Sequence, residues 1–281
     1  MTVRRVVVIA LACVALLAGE PGAGASRPEV ERAAAVPQRP LRVLVTNDDG
    51  VGAPGIDAVV EALRTLPNLQ LTVVAPLTNQ SGSGDKFSTT PLTASNATTQ
   101  HGYPAIAVNG FPADSVLVAM KELLKEPPDI VVSGINFGQN IGELIDISGT
   151  VGAARTAARL GVPSIAVSQG IASNIDYTYA AIVTKFAVAS ARNNLIANPD
   201  AVPDVFNLNV PTCPTVRGVT LVTVGRSNGV VSYTESPTGV FTAVTRTRNL
   251  VNVNCTSSLQ HPVDDIDAFT NGFAALSRLN S

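Results

Sequence analysis

The sequence predicts an α/β fold: a doubly wound, Rossmann-like, mostly parallel sheet with an inserted β-hairpin and a C-terminal β-hairpin arm. Three observations predict it. Short continuous apolar runs, LRVLV at 41–45, LQLTVVAP at 69–76 and DIVVSG at 129–134, have the character of strands buried on both faces. Segments of helical period lie between them. Polar, Gly-rich stretches fall where the strands end, as in sheets that bind ligands beyond their carboxyl edge.

Taken in order, Leu41–Val45 is the first strand, and Ile56, Val59, Val60 and Leu63 follow at helical spacing. Leu69–Pro76 is the second strand, so strand, helix and strand form a βαβ unit and the sheet is parallel. Leu92–Val108 is Thr-rich and β-like, a hairpin inserted over the sheet. Ala113, Val116, Leu117, Met120, Leu123 and Leu124 make one helix face, and Asp129–Gly134 is the third parallel strand. Val151–Leu160 is helical and is stopped by Gly161 and Pro163. Pro163–Ser168 is a strand, Tyr179–Arg192 a helix, and VFNLNV from Val205 another strand. Arg217–Thr247 alternates and contains Asn228-Gly229 and Thr238-Gly239, turn dipeptides of hairpins. These hairpins suggest an arm, about 215–281, suited to subunit contacts.

Before the fold, Met1–Ala25 reads as an export signal: Arg4 and Arg5, an apolar stretch from Val6 to Ala18, and the small residues Ala23-Gly24-Ala25. The apolar stretch is shorter than the roughly 20 residues a membrane span needs, so no span is expected after signal removal. Residues 26–40, rich in Ala, Pro and charge, read as a disordered leader, and 41–281 as one domain. The expected location is therefore secreted or periplasmic. Net charge is −2 with no basic block, which argues against long nucleic acid as a partner. Cys213 and Cys255 are left after signal removal, and on sequence grounds they are either a disulfide or two buried thiols.

Four polar loops meet at the carboxyl edge: TNDDG, NQSGSGDK (79–86), SGINFGQNIG (133–142) and DISGTVGAA (146–154). In the first, Asp48 and Asp49 are adjacent where a buried strand runs out. Two carboxylates about 4 Å apart repel by about 4 kcal/mol at an effective dielectric near 20. A bound divalent cation reverses the sign of that interaction. Oxygen donors without thiolate or imidazole suit a hard ion, Mg²⁺ or Mn²⁺, one per subunit. In the last loop, Ser148, Gly149 and Thr150 open a helix, where free N–H groups and the helix dipole favour an anion. A cation cluster beside an anion nest points to phosphate chemistry.

Five stretches in this order, VTNDDGVGAPGI, APLTNQSGSG, NGFPADSV, VSGINFGQNIG and SGTVGAARTAARLGVPSIAVS, resemble the SurE family of metal-dependent phosphatases acting on nucleoside monophosphates. The resemblance is strong over about 41–170 and weak over the C-terminal third. It implies Asp48, Asp49, Ser81 and Asn136 as metal ligands, and Asn140, Ser148, Gly149 and Thr150 as phosphate contacts. It also implies a homodimer or homotetramer with exchanged C-terminal arms. Three features depart from the family pattern: Gly52 where many members carry a larger residue, Phe111 in place of a Thr, and the export signal. An exported member is expected to be a broad scavenging 5′- or 3′-nucleotidase, akin to an acid phosphatase. The sequence leaves open whether Asp48 or Asp49 is a base, a nucleophile or only a ligand.

Two rival readings belong beside this one. A non-catalytic nucleotide-binding module would keep the same pocket without turnover. GRSNG, 225–229, matches the G-x-S-x-G pattern of serine esterases, but that elbow needs a helix directly after Ser227, and VVSYTES is strand-like. Lys86 reads as a solvated loop residue, and neither His101 nor His261 is assigned to catalysis. Asp264, Asp265 and Asp267 read as a solvated turn, with a second ion site as the alternative.

Overall fold

The computed structural model describes residues 39–198 and 202–281. The expected signal at 1–25 and the leader up to residue 38 lie outside the described residues. The end of the leader is described, and there Arg39 pairs with Asp129 at 2.6 Å.

The chain runs through β1 (Leu41–Thr46), α1 (Pro54–Leu63), β2 (Leu69–Pro76), β3 (Ala94–Thr98), β4 (Pro104–Val108) and α2 (Pro112–Val118). It continues with β5 (Ile130–Phe137), α3 (Gly149–Arg159), β6 (Ser164–Gln169), α4 (Thr178–Ala197) and β7 (Val205–Val210). The last third holds β8 (Val219–Leu221), β9 (Asn228–Glu235), β10 (Phe241–Thr247), α5 (Asp265–Thr270) and β11 (Ala274–Leu279). A nine-stranded sheet has the order β3-β4-β2-β1-β5-β6-β7-β11-β8. From β4 to β7 every neighbouring pair is parallel. β3 and β11 pair antiparallel with their inner neighbours.

β1 explains why the strands read as unbroken apolar runs. Leu41, Val43 and Val45 join a cluster with residues of α1 and α4. Leu44, between them, joins Val116 and Ala153 of α2 and α3 on the opposite face. Successive side chains point to opposite faces, so a strand covered by helices on both sides needs apolar residues at nearly every position. From β1 the chain first builds outward through β2 and β4, then crosses back and builds the other way through β5, β6 and β7. The gap between the carboxyl ends of β1 and β5 is thus the switch point where such sheets bind ligands.

Several expectations need correction. The β3–β4 hairpin does not lie over the sheet but extends it, because Ala105, Ala107 and Val108 of β4 are buried and β4 pairs with β2. The arm expected over about 215–281 narrows to β9 and β10, a separate two-stranded sheet. β8 and β11 join the main sheet instead, where Ala274, Ala275 and Leu276 complete the core. Asn228 and Gly229 are not a turn but the start of β9, facing Thr247 and Arg246, and the chain reverses at Ser236–Gly239. The acidic run is not a solvated turn. Asp264 caps α5 and pairs with Arg248 at 2.6 Å, while fully buried Asp265 accepts from the Gly225 and Gly142 N–H groups.

Cys213 and Cys255 are bonded, with Cα atoms 5.6 Å apart, which settles the alternative the sequence left open. The bridge ties the loop after β7 to the segment before α5 across 42 residues. Closing a loop of that size restricts the unfolded chain by about 4 kcal/mol in the chain-entropy model, and measured losses are often smaller. Replacing both cysteines, Cys213→Ala with Cys255→Ala, is expected to lower unfolding free energy by about 2–4 kcal/mol in urea titration. An unchanged midpoint would mean that the bridge does not constrain the unfolded chain.

Candidate active site

The site starts where β1 ends. Asn47 turns the chain there, its side-chain amide donating to the Gly50 carbonyl at 2.8 Å. Asp48 and Asp49 thus leave the strand on a tight loop rather than on alternate faces of a pleat. Asp48 points toward the start of α3, where its Oδ1 accepts the Thr150 hydroxyl at 2.6 Å. Asp49 turns toward β5, where Oδ2 accepts the Phe137 N–H at 2.8 Å and Oδ1 the Asn79 amide at 3.3 Å.

Burial, more than the repulsion between the two acids, governs the electrostatics here. Asp48 is buried, and loss of hydration pushes its carboxyl up to about 6. The Thr150 hydroxyl opposes that shift, and the nearby Asp49 charge adds to it. Burial also raises Asp49, against the Phe137 N–H bond. Among the described residues neither carboxylate has an ion-pair partner. Two acids are therefore held in a poorly hydrated place with donors but no counter-charge, a state that a proton or a cation relieves.

Glycines let the helix and the loops close on this point. A Cβ on Gly149 would lie 2.8 Å from Asp48 Cβ and 2.7 Å from Ser83 Oγ. One on Gly152 would lie 2.1 Å from the Gly84 carbonyl, so backbone meets backbone there. Ser83 Oγ is buried and has no hydrogen-bond partner among the described residues. An orphaned hydroxyl beside a carboxylate pair fits an oxygen-coordinated hard cation or its water shell. The sequence reading named Ser81 from this loop and missed Ser83; the only signal for it was its place in the same Ser-Gly run.

The other expected residues are distributed as follows. Ser81 is exposed and lines a cleft of about 490 Å³ with Asp49. Its N–H donates to the Asn79 side chain, which itself reaches Asp49. Asn136 is buried at the end of β5, its amide donating to the Gly138 carbonyl at 2.6 Å, one residue before the N–H that Asp49 accepts. Ser148 caps α3 by accepting from Val151 N–H at 3.2 Å. Asn140 belongs to a buried polar network instead. Its side chain donates to Ser168, its N–H to Asn209, and its carbonyl accepts from Asn207. No hydrogen bond joins that network to either aspartate among the described residues. Asp48 thus meets Gly149 and Thr150, while Asp49 meets Asn79 and the Phe137 N–H and shares the cleft with Ser81.

Two residues that the sequence reading passed over also line the cleft. Phe137 is half-exposed, and Tyr177, at the start of α4, is half-buried. Burial and the charge of Asp49 push the Tyr177 phenol up to about 12. His101 is not in this group; its ring contacts buried Asp57 at 2.5 Å on α1. Ser227 does not form a nucleophile elbow. It leads into β9, and its hydroxyl and N–H both donate to Glu143.

Comparison with known proteins gives the same picture. The family model described as survival protein SurE matches residues 43–230. The 5′-nucleotidase SurE of Methanopyrus kandleri is 41% identical over 181 residues, 61% of this chain and 66% of that one. The 5′-nucleotidase SurE of Methanocella arvoryzae is 40% identical over 65% of this chain and 71% of its own length. That of Carboxydothermus hydrogenoformans is 37% identical over 66% and 71%. The chain thus spans about two thirds of the length of these curated relatives. The crystal structure of SurE protein from Aquifex aeolicus superimposes with a TM-score of 0.65 at 30% identity, covering 85% of this chain and 93% of that one. With its switch-point aspartates, its α3 nest and a family match over most of its length, the chain belongs to the SurE family, whose curated members here are named 5′-nucleotidases.

Proposed function

We propose that the chain is an exported, metal-dependent phosphomonoesterase that hydrolyses nucleoside monophosphates. The observation that carries this reading is the contact between Asp48 and the opening of α3, because it places an unneutralised acid pair and an anion-binding helix end in one site. Asp48 and Asp49, with Ser81 and Asn136, would hold one divalent cation, Mg²⁺ or Mn²⁺. When bound, that ion supplies charge neutralisation for phosphoryl oxygens and lowers the pKa of a water. In the reaction a water oxygen forms the new P–O bond, the bond to the sugar oxygen breaks, and a proton ends on the departing alcohol.

The chain's own groups prepare that step. The Gly149 N–H and the Ser148 hydroxyl would receive phosphoryl oxygens at the positive end of α3, where charge builds as the bond breaks, while the Thr150 hydroxyl stays on Asp48. The Thr150 hydroxyl and the Phe137 N–H fix the two carboxylates, so little reorganisation accompanies binding.

Export and assembly form part of the same proposal. The N-terminal pattern and the Cys213–Cys255 bridge both suit an oxidising compartment. The β9–β10 hairpin holds Tyr233, Val240 and Phe241 exposed on a sheet apart from the main one, apolar surface that a second or fourth copy would cover. No helix among the described residues is long and apolar enough to cross a membrane.

Three outcomes follow. Asp49→Asn is expected to lower phosphate release from AMP by a hundredfold or more with unchanged circular dichroism, roughly the scale of losing a key charged group. EDTA should do the same to the parent chain, reversibly on adding Mn²⁺. Activity that survives both treatments would refute the metal-dependent mechanism, and AMP binding without turnover would refute the enzyme reading. Metal affinity should also track pH. Asp48 holds its proton below about 6, so Mn²⁺ affinity by calorimetry should fall roughly tenfold per unit below that pH and level off above it. A flat profile from pH 5 to 8 would remove Asp48 from the ligand set. Finally, chain recovered outside the cell should begin near residue 26 and elute as a dimer or tetramer, and deleting 229–246 should yield monomer. An intact N-terminus or a monomeric parent would count against export or the arm, respectively.

A further inference from the structure

The cleft that begins at Asp49 does not end at the phosphate. It holds about 490 Å³, and its lining changes character from Asp49, Asn79 and Ser81 to Leu77, Pro54, Phe137 and Tyr177. That volume lies within the range of pockets for small organic ligands, well beyond what a phosphoryl group fills.

Phe137 is the residue without another explanation. Its backbone is fixed by the N–H bond to Asp49, yet the residue is 52% exposed. Among the described residues it is part of no hydrophobic cluster, whereas Tyr177 packs against the main core. Tyr177 is held at Gly55, whose absent Cβ would lie 3.2 Å from the ring. Above the loop between them the space is open, since a Cβ on Gly52 would meet nothing within 4 Å. A larger residue there would narrow the mouth that Gly52 leaves wide. An exposed aromatic ring on a held backbone next to a charged site, with room in front of it, is a common means of holding a flat aromatic group.

We infer that Phe137 is a specificity-determining residue, a platform on which the base of a nucleoside monophosphate stacks, with Tyr177 closing the opposite side. This rests on the phosphomonoesterase reading and deepens it: the cleft selects phosphate esters whose alcohol carries an aromatic ring over those of plain polyols. Phe137 is a positioning group for the leaving alcohol and takes no part in the chemical step.

The test compares AMP with β-glycerophosphate on the full chain with Mn²⁺. The kcat/KM ratio of AMP to β-glycerophosphate should fall about tenfold or more in Phe137→Ala, mostly through KM for AMP, and recover in Phe137→Tyr. An unchanged ratio, or equal losses on both substrates, would overturn the platform. If the parent turned over neither ester, the phosphatase reading itself would fail. AMP affinity of parent and Phe137→Ala by equilibrium dialysis would then judge the platform alone: a tenfold weaker variant supports it, and equal affinities overturn it.

Discussion

Burying an acid costs hydration, and something must answer its charge. Here the first answer is the opening of α3: the Thr150 hydroxyl at 2.6 Å from Asp48, with Gly149 packed against the same side chain. The rest of the site is arranged around that contact. The loop after β2 approaches α3 closely because Gly84 and Gly152 lack side chains. β5 reaches Asp49 with the Phe137 N–H because β5 lies beside β1 at the switch point. Removing the helix end would leave Asp48 desolvated, with the Thr150 donors gone and its own backbone N–H remaining.

The same contact explains why a helix end and a pair of acids, opposite in their preferences, share one place. The α3 dipole and hydroxyls stabilise negative charge, and they do so first for Asp48. A phosphate brought to the same helix end adds charge that the protein's own donors cannot balance alone. The polar side chains gathered here are carboxylates, hydroxyls and amides, and among the described residues no group of three His, Cys, Asp or Glu assembles anywhere. Two carboxylates with hydroxyl and amide oxygens suit a hard, exchangeable ion better than a permanently bound structural metal.

Much of this was legible in the sequence, for physical reasons. β2 has the bounds its apolar run suggests, and β7 starts at the expected Val205, because burial on both faces leaves an unambiguous mark. Asp48 and Asp49 stand out in the sequence because adjacent acids at a buried strand end have few structural uses, and the fold puts them directly after β1. What was not legible depends on partners far away in the chain. Asp265 looks like a solvated acid until Gly225 and Gly142 are folded onto it. Ser83 and Ser81 differ by two positions in a loop without a period, and only the fold shows which one is buried. Phe137 looked like an ordinary residue of a polar loop because no periodicity covers a strand's last position. The cysteine pair needed the return of the last segment to the end of β7.

The bond between Thr150 and Asp48 spans 102 residues. During synthesis the acidic pair emerges early and stays hydrated and open until the chain has added β5 and α3. Long-range parallel pairing of this kind assembles slowly. A half-made chain therefore carries no competent site, and it lacks the central layer that would lock it shut. Competence is therefore a late event in the life of the chain, reached only once Thr150 has met Asp48.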